Sequence, residues 1–437
     1  MHASERASWG SRFGLIMAAA GSAVGLGNLW RFPFITAQEG GGAFLLLYLA
    51  ATVFIGFTLV LVEMSLGKKT HLDPVGALKT IHPGFAFIGG IGVLAAVVIV
   101  PYYSVVGSWI VYYFSQIFSG SSIENYEHHF GSFIASPVQP LFFLFLFIFG
   151  SAFIVYRGVE KGIEKYSKII MPLLFLLLLL LMGRALTLEK AWEGVRYFIY
   201  PDFSKVTPQT FLMALGQSFF SLSVGMGIYI TYGSYIRPEE DLFKVTYPVP
   251  LLDTLVSILA GLTIFPAVFA FGIPMNAGPS LVFITLPKIF AALPFGAFFA
   301  GVFFLLLLFA AVTSNISLME VIVSFMGDQL KVKRHKAITI FASYSFLVGI
   351  FISLSMGILG NFKIFGKNLF DLSDYLASNI ILPGCGLLTS LAVGWFLGVR
   401  KLEVFQNKYA LAVFSFLVKY AAPIAVGAVL LNVIGLL

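Results

Sequence analysis

A run of small and polar residues interrupts the first apolar segment of the chain, in the stretch AAAGSAVGLGNLWRFPF at residues 18–34. Backbone groups are costly to expose inside a membrane unless they face a ligand, water or buried protein. A helix that breaks here would free carbonyl oxygens, which suit a hard metal cation. The N–H groups that start the next half-helix would suit an anion. The stretch therefore predicts a cation site and a carboxylate site side by side.

A second interruption occurs in the stretch GQSFFSLSVGMGIYITYGSY at residues 216–235, five spans after the first. Because five is odd, spans 1–5 and 6–10 would have opposite topology. Paired breaks in two inverted halves indicate a midplane binding site in a secondary transporter. Glycines in a single membrane helix also serve close packing, but two interruptions at corresponding places favour a site.

Both breaks lie within long apolar segments that are predicted to be membrane-spanning helices. The chain of 437 residues is 59% hydrophobic and 11% charged, and its mean hydropathy is +0.95. Runs such as PLLFLLLLLLMG at 172–183 lack the alternation of a membrane strand. We predict an all-α integral membrane protein of eleven spans, at 12–37, 41–67, 86–118, 139–156, 162–183, 209–236, 243–272, 294–326, 337–357, 368–399 and 408–436.

These spans predict one transporter domain over 1–437, with inverted repeats at 12–183 and 209–399 and a last helix at 408–436. Lys and Arg concentrate in the loops on the N-terminal side, which places the N-terminus in the cytoplasm and the C-terminus outside. The net charge of +7 is then a topology signal, and no nucleic-acid partner is expected. The single cysteine, Cys385, lies within a span and forms no intramolecular disulfide. A bacterial inner membrane is the expected location.

Five motifs follow one another along almost the whole chain: GSAVGLGNLWRFP (21–33), EGGGAF (39–44), YYS with SW (102–109), GQSFFSLS (216–223) and TSNISLME (313–320). In these motifs the chain resembles the neurotransmitter:sodium symporter family, which has the LeuT-type fold. The resemblance implies a 5+5 inverted repeat with broken helices 1 and 6. It also implies a symporter that imports an amino acid with sodium by alternating access. The chain departs from the family pattern in lacking a twelfth span, so the oligomeric state stays open.

The resemblance implies two sodium sites built from oxygen atoms, as a hard monovalent cation prefers. The first would use the carbonyl of Ala23 and the side chains of Asn28, Ser221 and Asp253, with the substrate carboxylate as a further ligand. The second would use backbone carbonyls and two hydroxyls, from Gly21, Val24, Ala310, Thr313 and Ser314. A Ser/Thr pair taken alone also serves as contact between helices.

The resemblance further implies a substrate pocket between the two breaks. Tyr103 and the N–H groups of Leu26 and Gly27 would hold the substrate carboxylate, and carbonyls of Phe220 and Ser223 would accept from its ammonium group. The full set of implied pocket residues is Ala23, Gly25, Leu26, Gly27, Ile99, Tyr103, Phe220, Ser223, Met226, Asn315 and Leu318.

Position 25 distinguishes substrate classes. Monoamine carriers of the family place an aspartate there, whereas this chain has Gly25. The substrate is therefore expected to bring its own carboxylate, as an α-amino acid does. The pocket is apolar apart from Asn315 and Ser223, and the flexible Met226 tolerates large ligands. We predict a hydrophobic or aromatic L-amino acid, with tyrosine as a candidate because Asn315 offers a polar partner.

Asp253 stands where chloride-dependent relatives place an asparagine beside Tyr48, Gln217, Ser221 and Ser257. A fixed carboxylate would repel a chloride ion a few ångströms away at low dielectric. We therefore predict two sodium sites and no chloride. Asp253 either becomes protonated on the return step and exports that proton, or is a sodium ligand that never titrates.

The resemblance also implies gates at both ends of the pocket. At the outer end Arg31 would pair with Asp374, with Gln217 nearby. The inner gate would join Arg6 to Asp328, backed by Trp9, Ser234 and Tyr235.

Four further residues complete the expectations. Gly162 and Pro172 in the fifth span predict local unwinding that would admit water to the inner sodium site. Glu63 is expected to accept bonds from the second break. Lys419 is expected to snorkel or to contact a partner.

Three alternatives stay open. A channel would need a continuous polar path, which an apolar pocket with two gates disfavours. An amino-acid sensor on the same scaffold would lack an intact ion site or gate. A symporter for small aliphatic amino acids would share every motif named above. No cluster of nucleophile, base and metal ligand supports an enzyme.

Overall fold

The computed structural model describes residues 7–119, 125–272, 281–433 and 435–436. Within these ranges the chain is helical and contains no strand, only the isolated bridges Gly41–Pro201 and Ile364–Lys367. Its helices are α1 (Arg12–Ala23), α2 (Gly27–Gln38), α3 (Gly42–Thr70), α4 (Pro74–Lys79), α5 (Pro83–Ile117), α6 (Tyr126–Ala135), α7 (Gln139–Tyr156), α8 (Val159–Leu186), α9 (Ala191–Ile199), α10 (Pro208–Ser221), α11 (Ile228–Gly233), α12 (Leu242–Phe271), α13 (Leu281–Ala291), α14 (Gly296–Asp328), α15 (Arg334–Leu354), α16 (Leu369–Leu402) and α17 (Lys408–Val433).

Nine helices of the described part are long and apolar enough to cross a membrane, and the pair α1–α2 makes a tenth if it is one span. The prediction of an all-helical membrane protein is confirmed at this level. The predicted span at 209–236 consists of two shorter helices, α10 and α11, with residues 222–227 between them. An eleventh crossing formed by this pair stays a prediction.

The first helix begins and ends through local contacts. Ser11 has an extended backbone and its hydroxyl accepts from the Gly14 N–H at 3.1 Å, which caps α1. The helix stops after Ala23 because Val24 is extended, with φ −65° and ψ 105°. The next free N–H, that of Gly25, donates to the Asn28 side-chain oxygen at 2.9 Å. The chain then resumes as α2, at an angle of 52° to α1.

Close contact between backbones holds α11 against α3. A Cβ added at Gly67 would lie 2.0 Å from the Ile230 carbonyl oxygen, and one added at Gly233 would lie 2.4 Å from that of Met64. No side chain fits at either position. The two glycines therefore allow the half-helix after the second break to pack directly on α3.

The site lies among five packed helices. Helix α14 packs along α5 and α8 and also contacts α1, while α1 contacts α12. Almost every residue of α1 from Gly14 to Ala23 is buried. The first break is consequently buried within the protein, next to the cavity described below.

Candidate functional site

The two helix breaks face each other in the structure. The Ser223 hydroxyl, in the second break, donates to the Ser22 carbonyl of the first at 3.0 Å. Ser223, Gly225 and Gly227 have positive φ values of 55°, 83° and 72°, so the chain reverses tightly here. The Gly225 N–H donates to the Glu63 carboxylate at 2.8 Å, which confirms the role predicted for Glu63. The Ser22 carbonyl is thus satisfied by the second break, and the Gly225 N–H is satisfied by α3.

A cavity of about 390 Å³ opens between the breaks. Its volume is in the range of small-ligand sites. Most of the residues implied for the substrate pocket line it: Ala23, Gly25, Leu26, Gly27, Ile99, Tyr103, Phe220, Ser223, Met226 and Leu318.

Asn315 does not line the cavity. It is completely buried, and neither its amide oxygen nor its amide nitrogen has a hydrogen-bond partner among the described residues. The polar partner suggested for a tyrosine substrate is therefore away from the cavity wall in this conformation.

Part of the cavity lining was not predicted from the sequence. It adds aromatic, apolar and amide side chains, namely Trp30, Phe34, Tyr102, Val106, Met213, Phe370, Ser378 and Asn379. A signal was present, because Phe370, Asp374 and Ser378 are four residues apart and share one helix face. Trp30 and Phe34 have the same spacing.

The first predicted cation cluster is assembled around Asn28. Its amide nitrogen donates to the Asp253 carboxylate at 2.7 Å and to the Ser221 hydroxyl at 2.9 Å. The Ser221 hydroxyl donates to the same carboxylate at 2.8 Å. Tyr48 and Ser257 complete the cluster, 3.3 Å from Asp253 and 2.9 Å from Asn28 respectively. The structure thus brings the three predicted side chains together in a fully buried group.

Ala23, the remaining protein member of that set, lies at the cavity wall. Its carbonyl oxygen is 3.7 Å from the position that a Cβ on Gly25 would occupy. The carbonyl therefore faces the space next to Gly25.

The second predicted cluster joins the first break to α14. The Ser314 hydroxyl lies 3.5 Å from the Val24 carbonyl, 3.2 Å from that of Ala310 and 3.3 Å from that of Ser22. The Thr313 hydroxyl donates to the Ala310 carbonyl at 3.1 Å. The Ser22 carbonyl was not among the predicted ligands.

Gly21 also lies next to this cluster, in contact with Thr313. A Cβ at Gly21 would lie 3.1 Å from the Thr313 Cβ, so α1 and α14 touch at this residue. The predicted members of the second set are therefore neighbours in space.

Gly25 sits where a side chain would block the site. A Cβ there would come within 2.9 Å of the Ser314 hydroxyl and 3.4 Å of the Tyr103 hydroxyl. The absence of a side chain leaves a gap between the first break, α5 and α14. That gap is bordered by hydroxyls and backbone groups, while the walls beyond it are mainly apolar.

One end of the cavity, which we call the Arg31 end, holds loosely arranged charges. The Arg31 guanidinium lies over the Phe220 ring, 4.3 Å from its centre. Asp374 lines the same cavity and accepts from the Ser378 hydroxyl at 3.2 Å. Within the described part of the chain no ion pair joins Arg31 to Asp374. Gln217 donates to the Gly27 carbonyl at 3.2 Å.

The opposite end, which we call the Trp9 end, is tightly closed. Trp9 is 3% exposed, and its indole N–H donates to the Tyr232 carbonyl at 3.0 Å. The Tyr235 hydroxyl donates to Glu320 at 2.8 Å. Asp328 accepts from the Asp73 N–H at 2.8 Å.

Arg6, the predicted partner of Asp328, lies outside the described residues. Ser234 lies at the same end, completely buried, and its hydroxyl donates to the Thr231 carbonyl at 2.5 Å. The structure therefore brings Trp9, Ser234 and Tyr235 together as predicted.

Two buried carboxylates at the Trp9 end were not predicted. Glu164, at the start of α8, accepts from the Gly10 N–H at 2.6 Å and from the Ser11 hydroxyl at 2.7 Å. Glu320 forms a two-bonded pair with Arg334 at 2.8 and 2.6 Å. The first pair of bonds ties the segment before α1 to α8.

The fifth predicted span is irregular at its start. Helix α8 begins with a wide turn at Val159–Glu164, and a Cβ on Gly162 would lie 2.1 Å from the Ile154 carbonyl. Pro172 lies inside the following helix. The predicted unwinding itself stays a prediction.

Comparison with known proteins identifies a family and several similar proteins. The family model of the sodium:neurotransmitter symporter family matches residues 6–129 and 121–435. An uncharacterized sodium-dependent transporter YhdH of Bacillus subtilis is 40% identical over 443 residues, covering 98% of each chain. An uncharacterized sodium-dependent transporter of Haemophilus influenzae is 37% identical over 449 residues, covering 97% of each.

A crystal structure of MhsT in complex with L-phenylalanine has a TM-score of 0.90 and 39% identity, covering 98% of this chain and all of that one. These relatives are transporters, and the resemblance read from the five motifs is confirmed. The chain belongs to the sodium:neurotransmitter symporter family and is a sodium-dependent, multi-pass membrane transporter.

Proposed function

We propose that the protein imports a hydrophobic or aromatic L-amino acid together with sodium. The observation that carries this proposal is the gap at Gly25, which opens into a largely apolar cavity beside two buried clusters of oxygen atoms. A similar protein, MhsT, has been crystallised with L-phenylalanine, which supports an aromatic substrate.

The cavity suggests how such a substrate binds. Its carboxylate would enter the gap at Gly25 and accept hydrogen bonds there from the Tyr103 hydroxyl and from the N–H groups of Leu26 and Gly27. These N–H groups start α2, where the helix dipole favours an anion. Carbonyls of the second break would accept from the ammonium group. The side chain would then contact apolar residues of α5, α14 and the second break, including Ile99, Met226 and Leu318.

Sodium would bind at the two oxygen clusters. In the first, the Asn28 amide now donates to Asp253 through its nitrogen. Rotation of this amide would present its oxygen instead, which together with Ser221, Asp253 and the Ala23 carbonyl makes a set of hard ligands. In the second, Ser314 and Thr313 would turn their hydroxyl oxygens to the cation beside the carbonyls of Gly21, Val24 and Ala310. The substrate carboxylate would complete the first site, so that binding of sodium and binding of the amino acid would favour each other.

The same arrangement supports transport without chloride. Asp253 lies among Asn28, Ser221, Tyr48 and Ser257, in the position where a chloride ion would meet a fixed carboxylate. Replacing Asp253 with Asn removes that charge, so we expect sodium-driven uptake by the variant to require chloride. The measurement is uptake in chloride and in gluconate, with Ser257→Ala as a control that keeps the carboxylate. Uptake lost equally in both salts would contradict the charge argument.

We further propose eleven spans, with α1–α2 and α10–α11 each forming one broken crossing. The inverted repeats would cover 12–183 and 209–399, with the N-terminus in the cytoplasm. The Arg31 end would then face outward and the Trp9 end inward, so that alternating access opens them in turn.

Competition tests the substrate class. Uptake of labelled L-phenylalanine by proteoliposomes should be inhibited strongly by leucine, tyrosine and tryptophan, and weakly by glycine, lysine or glutamate. Inhibition by alanine and glycine alone would favour the small aliphatic alternative. Inhibition by charged amino acids alone would contradict the proposed cavity chemistry.

A further inference from the structure

Lys419 is a cation within the apolar part of α17. It lies eleven residues after Lys408, the first residue of that helix, and thus about 16 Å along its axis. Ionisable residues inside membrane spans are costly and usually have a partner. The helix itself offers none, because α17 contains no acidic residue. Lys419 takes no part in the cavity or in either oxygen cluster.

The position of Lys419 is fixed by contacts between α16 and α17. Both helices have a wide turn here, at Ala392–Gly398 and Leu417–Ala421. The Trp395 indole N–H donates to the Lys419 carbonyl at 3.1 Å, and the Ser390 hydroxyl donates to the Val418 carbonyl at 2.8 Å. Carbonyls of the wide turn are therefore satisfied by side chains of the neighbouring helix.

The backbones are also close. A Cβ on Gly394 would lie 3.3 Å from both Cα and Cγ of Lys419. The lysine stem consequently leaves α17 along the surface of α16, in a direction that the two helices determine together.

The ammonium group ends on an aromatic surface that faces outward. The Lys419 Nζ lies 5.5 Å from the centre of the Trp395 ring, and that side chain is 53% exposed. Tyr420 packs edge-on against Trp395 and is also exposed. Within the described part of the chain no carboxylate or carbonyl accepts a hydrogen bond from this ammonium group. A cation–π contact alone stabilises a charge only modestly.

Basic residues continue from this place to the nearest helix ends. Arg400 and Lys401 lie in the last turn of α16, which packs against the start of α17, where Lys408 is exposed. Glu403, the acidic residue of this connection, lies 3.8 Å from Lys69 of α3. A lysine at this depth can extend its stem toward such an end and keep its charge near the polar boundary.

We propose that Lys419 and Trp395 form a binding site for the phosphate of an anionic phospholipid, at the surface groove between α16 and α17. Charge complementarity supports this occupant, since the groove presents unpaired positive charge next to aromatic side chains of the kind that lie at membrane interfaces. A two-fold contact with a second copy is disfavoured, because it would bring Lys419 toward its own equivalent without an acidic residue of α17 to compensate.

Native mass spectrometry of the detergent-purified full chain tests the site, with dioleoyl phosphatidylglycerol and dioleoyl phosphatidylcholine as probes. A single lysine that contacts an anionic lipid contributes about 1 kcal/mol, which is about five-fold in affinity. We expect the wild type to retain phosphatidylglycerol preferentially, and Lys419→Met to lose about that factor. Lys419→Arg should restore the preference, and Lys336→Met, an exposed lysine at the start of α15, should leave it unchanged.

Two results would overturn the proposal. The first is equal loss of phosphatidylglycerol binding in Lys419→Met and Lys336→Met, which would show attraction by net charge alone. The second is a change from dimer to monomer in Lys419→Met without any change in lipid retention, which would assign the groove to a second copy. Thermal unfolding of each variant, measured in parallel, identifies a variant that has merely lost its fold, and Lys419→Arg then decides the question.

Discussion

The two ends of the cavity are held by different kinds of contact. At the Arg31 end a guanidinium rests on an aromatic ring, and Asp374 accepts from the Ser378 hydroxyl without an ion pair to Arg31 among the described residues. At the Trp9 end an indole is buried and hydrogen-bonded, and Glu164 binds the segment before α1 through two short bonds. Few bonds must break to open the first end, whereas several buried groups must separate to open the second.

In the proposed alternating cycle, this difference corresponds to a state that is closed at the Trp9 end. Arg31 lines the cavity at one end, and a hydrogen bond between Ser223 and Ser22 joins the two breaks. Reversal of the state would require the segment before α1 to leave Tyr232 and α8. We therefore expect substitutions at the Trp9 end to change access more than substitutions at the Arg31 end.

The largest effect is expected from Trp9→Ala. Removal of a buried Trp side chain costs about 3–5 kcal/mol, which favours opening at this end. Thr231→Cys, in a background with Cys385→Ala, supplies a buried reporter thiol on α11. We expect Trp9→Ala to increase the rate at which a maleimide alkylates this thiol about 100-fold. Phe13→Ala, which removes an exposed aromatic of α1, is the control. Unchanged labelling in a folded Trp9→Ala variant would contradict the assignment of Trp9 as a closing residue.

A smaller effect is expected from Glu164→Gln. Hydrogen bonds to a charged group are worth about 1.5–3 kcal/mol, and the glutamine amide keeps one acceptor for Gly10 or Ser11. Labelling at Thr231→Cys should therefore rise about ten-fold. Glu193→Gln changes an exposed carboxylate on α9, away from this segment, and should have no effect. If both variants behave alike, the bond from α8 to the segment before α1 does not hold the end closed.

At the Arg31 end, Arg31→Gln removes the contact with Phe220. Cation–π contacts contribute about 0.5–2 kcal/mol, so we expect labelled L-phenylalanine to dissociate about five-fold faster. Labelling at Thr231→Cys should stay as in the wild type. An equal change in dissociation rate and in labelling rate would mean that Arg31 affects closure at both ends of the cavity and not at the Arg31 end alone.

The smallest effect is expected from Glu240→Gln, which breaks the exposed pair with Arg12 at 2.9 Å. Exposed pairs contribute about 0–1 kcal/mol. The labelling rate at Thr231→Cys should change less than about five-fold. The change should vanish in about 0.5 M salt, because salt screens the interaction between exposed charges. A larger effect that persists at high salt would contradict the assignment of this pair as a weak, screened surface contact.

The sequence was most informative where a residue type is rare in its surroundings. Gly25, Asn28 and Asp253 are unusual within apolar helices, and each lies at the cavity or in the oxygen cluster beside it. The helix breaks were also predictable, because small and polar residues interrupt otherwise continuous apolar runs. Helical spacing would have extended the prediction to Phe370 and Ser378, which share a face with Asp374.

Contacts between distant residues could not be predicted in the same way. Glu164 is 154 positions from Gly10, and nothing in its local sequence indicates which backbone group it accepts from. Asn315 lies next to the Thr313–Ser314 pair in sequence, but the helical turn directs its amide away from the cavity wall. The role of the Ser22 carbonyl depends on the dihedral angles of the break, which composition does not determine.

The central claim is that a sodium gradient drives accumulation of an apolar amino acid. The most direct measurement is uptake of labelled L-phenylalanine by proteoliposomes with an inward sodium gradient, compared with an equal potassium gradient. We predict accumulation above the outside concentration with sodium, and collapse of that accumulation when a sodium ionophore is added. Equal uptake in sodium and potassium, or entry that stops at the outside concentration, would contradict the account.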